Sequence, residues 1–270
     1  MLAKACSWIQ QDQRGTFSST RFDNLPISAS AFAALRTSND PATSQLVRSV
    51  GRHAGMLHQA WSNALTVMHK VEWLKALVAD GGLHEDAWLA YSPSDMYVLL
   101  AEIRSGYDHA AHIVQSVAKN PGQVGERSFT KLLNWAHDPK KRAADILGTD
   151  LHAILPGTSG SFWAVRESRD DLAHRGARLL VFPWKGEIAF MLTGGTQRSP
   201  DPSMMLNANV ICFRRYSAYH ACRLLLFLED LALLIFKRLA LPQVGLGQGV
   251  MACNPGLAVL REWARLQACT

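Results

Sequence analysis

Residues 161–192 read SFWAVRESRDDLAHRGARLLVFPWKGEIAFML and contain the chain's clearest change of structural type. Ser161–His174 has helical spacing and no proline, and Gly176 stops it. Arg178–Phe182 and Glu187–Leu192 are then rich in Leu, Val, Phe and Ile. Pro183-Trp184-Lys185-Gly186 sits between them, so the pair reads as a β-hairpin. One hairpin following one helix sets the frame for the flanking segments.

Upstream, Leu46, Val50, Met56, Leu57, Trp61, Leu65, Met68, Val71, Leu74 and Leu77 recur at three- and four-residue steps. They predict a long helix from about Pro41 to Asp80, ended by Gly81-Gly82. A second helix is expected to open at Ser92, with Ser92 as N-cap and Pro93 at its first position. Its apolar face includes Met96, Leu99, Leu100, Ile103, Tyr107, Ala110 and Val114, and Pro121-Gly122 closes it. A shorter helical segment follows near Glu126–Trp135. The Lys140-Lys141-Arg142 run reads as solvated surface. Downstream, Gly194–Ser203 reads as a loop and Leu206–Leu241 as a second long helix.

The expected fold class is therefore all-α: a helical bundle with a small β-hairpin near 178–192, after the motif helix. Residues 1–40 form an irregular arm, 41–241 the bundle, and 242–270 a loop and short helix capped by Asn254.

The 270 residues are 48% hydrophobic and 19% charged, which argues against a disordered chain. Net charge is +6, a modest tilt toward a polyanionic partner such as nucleic acid. The cysteines Cys6, Cys212, Cys222, Cys253 and Cys269 have neither zinc spacing nor a disulfide pattern, so reduced, cytoplasmic chemistry is expected. Met1–Gln13 does not read as a secretory signal. Leu224–Phe236 is too short to span a bilayer and carries Glu229 and Asp230, so no membrane association is expected. No metal and no cofactor is expected. Gly245-Leu246-Gly247-Gln248-Gly249 lacks a preceding strand and the spacing of a dinucleotide fingerprint.

The chemistry concentrates in Arg166–Gly176. Asp170 and His174 are four apart, so a helix sets them on one face, where a carboxylate can accept the imidazole N–H. Arg169 and His174 are five apart, about 140° around a helix of 3.6 residues per turn. They meet only if the helix unwinds near His174 or if the long arginine reaches across. An arginine holding non-bridging oxygens beside a histidine that exchanges protons near neutral pH suits a phosphodiester. The same run also suits a plain helix surface. Arg166–Asp170 and Asp171–Arg175 are both i,i+4 pairs, and a histidine in the last turn suits the helix dipole.

Two further groups are candidates. Arg104, Asp108 and His112 recur at four-residue steps beside Glu102 and His109. Asp108 could face the bundle and pair with Arg169, or the row could be an exposed ladder. Arg214, Arg215, Tyr219 and Arg223 alternate cations with aromatics, which suits an RNA backbone with stacked bases or the edge of a packing helix.

Arg169-Asp170-x-x-x-His174 resembles the Arg-(four to six)-His motif of the HEPN superfamily, in which a polar residue commonly follows the arginine. The likeness covers roughly residues 41–241, and Arg-Asp-Asp-Leu-Ala-His-Arg-Gly before a hairpin resembles one uncharacterised bacterial branch. The resemblance implies a helical bundle, a homodimer with two motifs facing one cleft, and metal-independent endoribonuclease activity. It gives His174 proton transfer at the RNA 2′-hydroxyl, Arg169 the phosphate charge, and Asp170 the orientation of the pair. Asp108, Arg166 and Arg175 would support them. The implied products carry a 2′,3′-cyclic phosphate and a 5′-hydroxyl. The implied setting is a toxin or antiviral effector, with an antitoxin or regulatory protein as partner. A module that binds RNA, a nucleotide or a protein without cutting is the alternative.

Overall fold

The computed structural model describes residues 45–84, 86–124, 128–194, 204–207 and 209–238. The expected arm, the C-terminal helix and the loop around Ser203 lie wholly or mainly outside these residues.

Helix α1 (Gln45–Ala79) and helix α2 (Ala87–Val117) form an antiparallel pair. Their turn forms where the glycines predict it. Gly81 adopts φ +72°, and Gly82 N–H donates to Leu77 O at 2.8 Å. Two polar pairs report one register: Asn63 Nδ2 to Glu102 Oε1 at 3.1 Å and Lys70 Nζ to Asp95 Oδ1 at 2.8 Å. Seven residues forward on α1 match seven back on α2, as an antiparallel pair requires.

The expected start of α2 is corrected. The helix begins at Ala87, Pro93 lies inside it, and Ser92 is buried with its Oγ unpartnered. An interior proline costs about 3 kcal/mol. The buried face Met96, Leu99, Leu100, Ile103, Tyr107, Ala110 and Val114 gains several times that, at about 1.5–3 kcal/mol per large side chain.

Short helices follow: α3 (Phe129–His137), α4 (Ala143–Leu147) and α5 (Thr149–Ile154). Ser128 caps α3 by accepting from Lys131 N–H. Lys140, Lys141 and Arg142 are exposed, as a solvated run should be.

Helix α6 (Pro156–His174) starts five residues before the expected Ser161. Pro156 occupies a favoured first-turn position. Two hydroxyls of its first half are used inside the packing: Thr158 Oγ1 donates to Leu155 O at 2.7 Å, and Ser161 Oγ bonds His220 Nδ1 at 2.8 Å.

The all-α expectation is overturned by a four-stranded antiparallel sheet. Its strands are β1 (Arg178–Trp184), β2 (Glu187–Thr193), β3 (Met205–Asn207) and β4 (Val210–Cys212), in the order β1-β2-β4-β3. The β1–β2 hairpin turns in two residues, Lys185 and Gly186, both with positive φ. That turn matches the strand twist. From Leu206 on, strands β3 and β4 take residues assigned above to the start of the long helix Leu206–Leu241. They are three residues each, too short to show a period, and β4 is fixed by pairing Ala189 with Cys212 and Phe190 with Ile211. Helix α7 (Phe213–Arg238) therefore begins at Phe213 rather than Leu206.

Tyr107, Phe129, Phe162 and Phe227 meet where α2, α3, α6 and α7 converge, with ring centroids 4.9–6.0 Å apart. Leu224, Phe227, Leu228, Leu231 and Ile235 of α7 are buried within the same core. The result is a mainly helical body with a small sheet beside it, and α6 packs against both α2 and α7, which also touch each other. Among the described residues, no helix is long and apolar enough to cross a membrane.

Candidate functional site

The motif lies on the last two turns of α6, facing α2. Asp170 stands at its centre. Arg169 Nη1 donates to Asp170 Oδ1 at 3.0 Å, and Arg104 Nη1, from α2, donates to the same oxygen at 3.1 Å. Arg166 Nε approaches Oδ2 at 3.4 Å as an ion pair without hydrogen-bond alignment. Three guanidinium groups thus gather on one carboxylate. Side-chain exposures of 18–32% for these four residues leave the cluster open to solvent on one side.

Arg169 and His174 do converge: Nη1 lies 3.2 Å from Nε2. The helix continues through His174, so the reach of the arginine closes the gap rather than unwinding. Guanidinium N–H groups only donate. Nε2 is therefore the acceptor, and His174 in this arrangement is neutral with its proton on Nδ1. His174 itself is exposed. Just past it, Gly176 takes φ +70° and Ala177 N–H donates to Asp171 O at 3.1 Å, which turns the chain into β1.

Two expected contacts are corrected. Asp170 bonds arginines and not His174, because Arg104, Arg166 and Arg169 occupy its oxygens; it acts on the histidine only through Arg169. Asp108 pairs with Arg104 at 3.9 Å rather than with Arg169, and its Oδ1 accepts Phe129 N–H at 2.9 Å, which anchors α3. Arg175 holds the fully buried Asp171 at 2.7 Å and so closes the helix end. Arg166 also covers the Trp163 ring at 5.1 Å. Arg104 is the member of the cluster that the motif does not contain. Its signal in the sequence is one cation beside the buried stripe of α2.

The expected basic-aromatic track is divided. Arg214 is 12% exposed and ties α7 to Glu72 at 3.3 Å and to Glu187 at 3.1 Å. Arg223 lies over the Tyr219 ring at 5.3 Å and reaches Gly157 O at 3.4 Å. Gly157 is twelve residues before Arg169, or about 18 Å along the helix axis. Arg215 is partly buried in the first turn of α7. These residues brace the first half of α7 and do not line one continuous path to His174.

A second ionisable cluster lies between α1 and α2. His53 stacks on His112 with centroids 4.5 Å apart and planes 14° apart, and His109 lies 6.1 Å from His53. Burial, then His112, His109 and Arg52, push His53 down to about 4. Burial and His112 also lower His109, against the opposing pull of Asp108 and Glu102. Near-parallel rings cannot both aim an in-plane lone pair at one ion. Among the described residues no group of three His, Cys, Asp or Glu side chains could hold a metal. In the α6–α7 seam, burial and then Arg223 push His220 down to about 3, so Ser161 faces a neutral imidazole.

The arrangement at Arg169 can hold an anionic oxygen beside an exposed, neutral imidazole, which is the minimum for proton exchange at a phosphate ester. Comparison with protein-family models, with curated proteins and with solved structures finds no match for this chain.

Proposed function

We propose that this chain is an endoribonuclease that cleaves RNA by 2′-hydroxyl attack, with Arg169 and His174 at the reacting phosphate. The observation that carries the reading is the 3.2 Å approach of Arg169 Nη1 to His174 Nε2 on an open face. The resemblance of Arg169-Asp170-x-x-x-His174 to the HEPN motif supports it from the sequence side.

In this scheme a non-bridging phosphate oxygen takes over Arg169 N–H groups and frees Nε2. That nitrogen removes the 2′-hydroxyl proton as O2′ bonds to phosphorus. The P–O5′ bond breaks, the departing O5′ takes a proton from water, and His174 returns the 2′-hydroxyl proton to water. The products are a 2′,3′-cyclic phosphate and a 5′-hydroxyl. Asp170 keeps Arg169 aimed. The scheme uses the chain's own residues and calls for no metal. A second copy facing the same cleft, a partner that silences the site, and a role in defence or toxicity belong to the same proposal.

The test is cleavage of a mixed RNA pool by the purified full chain and by His174→Ala, with a chelator present and folding checked by circular dichroism. Cleavage by wild type alone, leaving cyclic phosphate ends, is expected, with a loss of at least about a thousandfold in the variant. Equal cleavage by both removes His174 from the chemistry. No cleavage by either favours the reading as a non-cutting binding module.

A further inference from the structure

Resting on the ribonuclease reading, we propose that Arg104 is a second catalytic residue, which holds one non-bridging oxygen of the scissile phosphate while Arg169 holds the other. Asp170 Oδ1 is the acceptor that both arginines share. That oxygen accepts from Arg104 at 3.1 Å and from Arg169 at 3.0 Å, so two guanidinium groups already share one anionic oxygen. They stand no farther apart than two hydrogen bonds laid end to end, a span that a single phosphate can bridge.

Arg104 has donors to spare. A guanidinium carries five N–H groups. Among the described residues, Arg104 makes one hydrogen bond, from Nη1. Its Nε lies 3.9 Å from Asp108 Oδ2, beyond hydrogen-bond range, and the other Asp108 oxygen is committed to Phe129 N–H. Arg104 is also about one-quarter exposed, like Arg169, so a ligand can reach both.

Charge points the same way. Attack on phosphorus adds a second negative charge to the phosphate oxygens. Arg169 alone, half-neutralised by Asp170, supplies little against it. Arg104, Arg166 and Arg169 together exceed Asp170 in charge, and still do when Asp108 is counted. Preorganised donors aimed at developing charge are the usual source of the largest rate effects.

The experiment uses a short oligonucleotide with a single ribose, so that one linkage can be cut. It is prepared as the oxygen parent and as the separate Rp and Sp phosphorothioates. Cleavage by the full chain is compared with that by Arg104→Ala, Arg104→Lys and Arg169→Ala. Wild type is expected to be slowed about tenfold or more by sulfur in the diastereomer that faces Arg104. Arg104→Ala is expected to cut the parent about a hundredfold more slowly and to lose that diastereomer's penalty, while Arg169→Ala keeps it. Arg104→Lys restores part of the rate and carries the comparison if Arg104→Ala does not fold. Equal slowing of all three substrates by Arg104→Ala, or no slowing of any, overturns the proposal and leaves Arg104 as a tether for Asp170. The ribonuclease reading fails separately, and takes this proposal with it, if wild type leaves the parent and the mixed RNA pool uncut.

Discussion

Two clusters of ionisable side chains lean on different sides of α2. Asp108 and His109 are neighbours in sequence, yet a helix turns them about 100° apart. Asp108 belongs with Arg104, beside Asp170, Arg166 and Arg169. His109 belongs with His53 and His112. The first cluster gathers charge and leaves it partly hydrated. The second disfavours charge: burial and the neighbouring histidines lower His53 and His109, and the Nδ1 atoms of both are buried without a partner. An open arginine cluster can meet an anion at little desolvation cost. Half-buried imidazoles with inaccessible Nδ1 atoms lose stability by charging.

The largest effect should come from breaking the centre of the arginine cluster. Asp170→Ala leaves three guanidinium groups facing one another, and a loss of about 2 kcal/mol is expected by urea denaturation at neutral pH. Asp170→Asn keeps an acceptor and should lose about half as much. An unchanged midpoint in both variants would mean that water already screens the cluster and that the contrast with the histidines is one of composition only.

Acid should act on the histidine cluster next. The folded-state pKa values of His53 and His109 lie below the unfolded value of about 6.5. The unfolded chain therefore binds more protons as pH falls, and stability is lost. His53, lowered to about 4, contributes stability that is complete above about 6.5 and disappears between there and about 4. His109 and His220 add losses of the same sign. Denaturation midpoints from pH 7.5 to 4 should fall, and His53→Leu should flatten the curve over the upper part of that range. A variant curve parallel to wild type would place the acid sensitivity elsewhere.

The smallest effect belongs to an ion pair that neither cluster uses. Arg142 and Asp145 meet at 2.7 Å, but both are largely exposed. Asp145→Ala should shift stability by less than about 0.5 kcal/mol in a thermal melt. A larger loss would show that exposed pairs in this protein do more than solvate, and would raise the value expected for Asp170 accordingly.

Part of the site was legible along one helix. Arg166–Asp170 and Asp171–Arg175 form as the four-residue spacing requires, and Arg169 reaches His174 across five residues. The β1–β2 hairpin and the glycine stop after α1 were legible for the same reason: each depends on neighbours in sequence. The partner of Asp170 on α2 was not, because Arg104 lies 66 residues away. Nor were β3 and β4. Their three-residue strands have no pattern of their own: β4 exists through Phe190 and Ala189 of β2, and β3 through β4. Local chemistry also misled where packing outweighed it. Pro93 read as a boundary, yet it lies inside a helix whose apolar face is buried on the core.

By itself, then, the sequence determined the long amphipathic helices, the tight hairpin and the charged run that ends at Gly176, since these follow from periodicity, backbone freedom and short-range spacing. Only the tertiary structure decided that the sheet has four strands, that Arg104 joins Arg169 on one oxygen of Asp170, and that His53 of α1 stacks on His112 of α2 beside His109. Those outcomes depend on which distant faces are pressed together. Packing sets that through burial of the shared core of α2, α3, α6 and α7, and no local pattern records it.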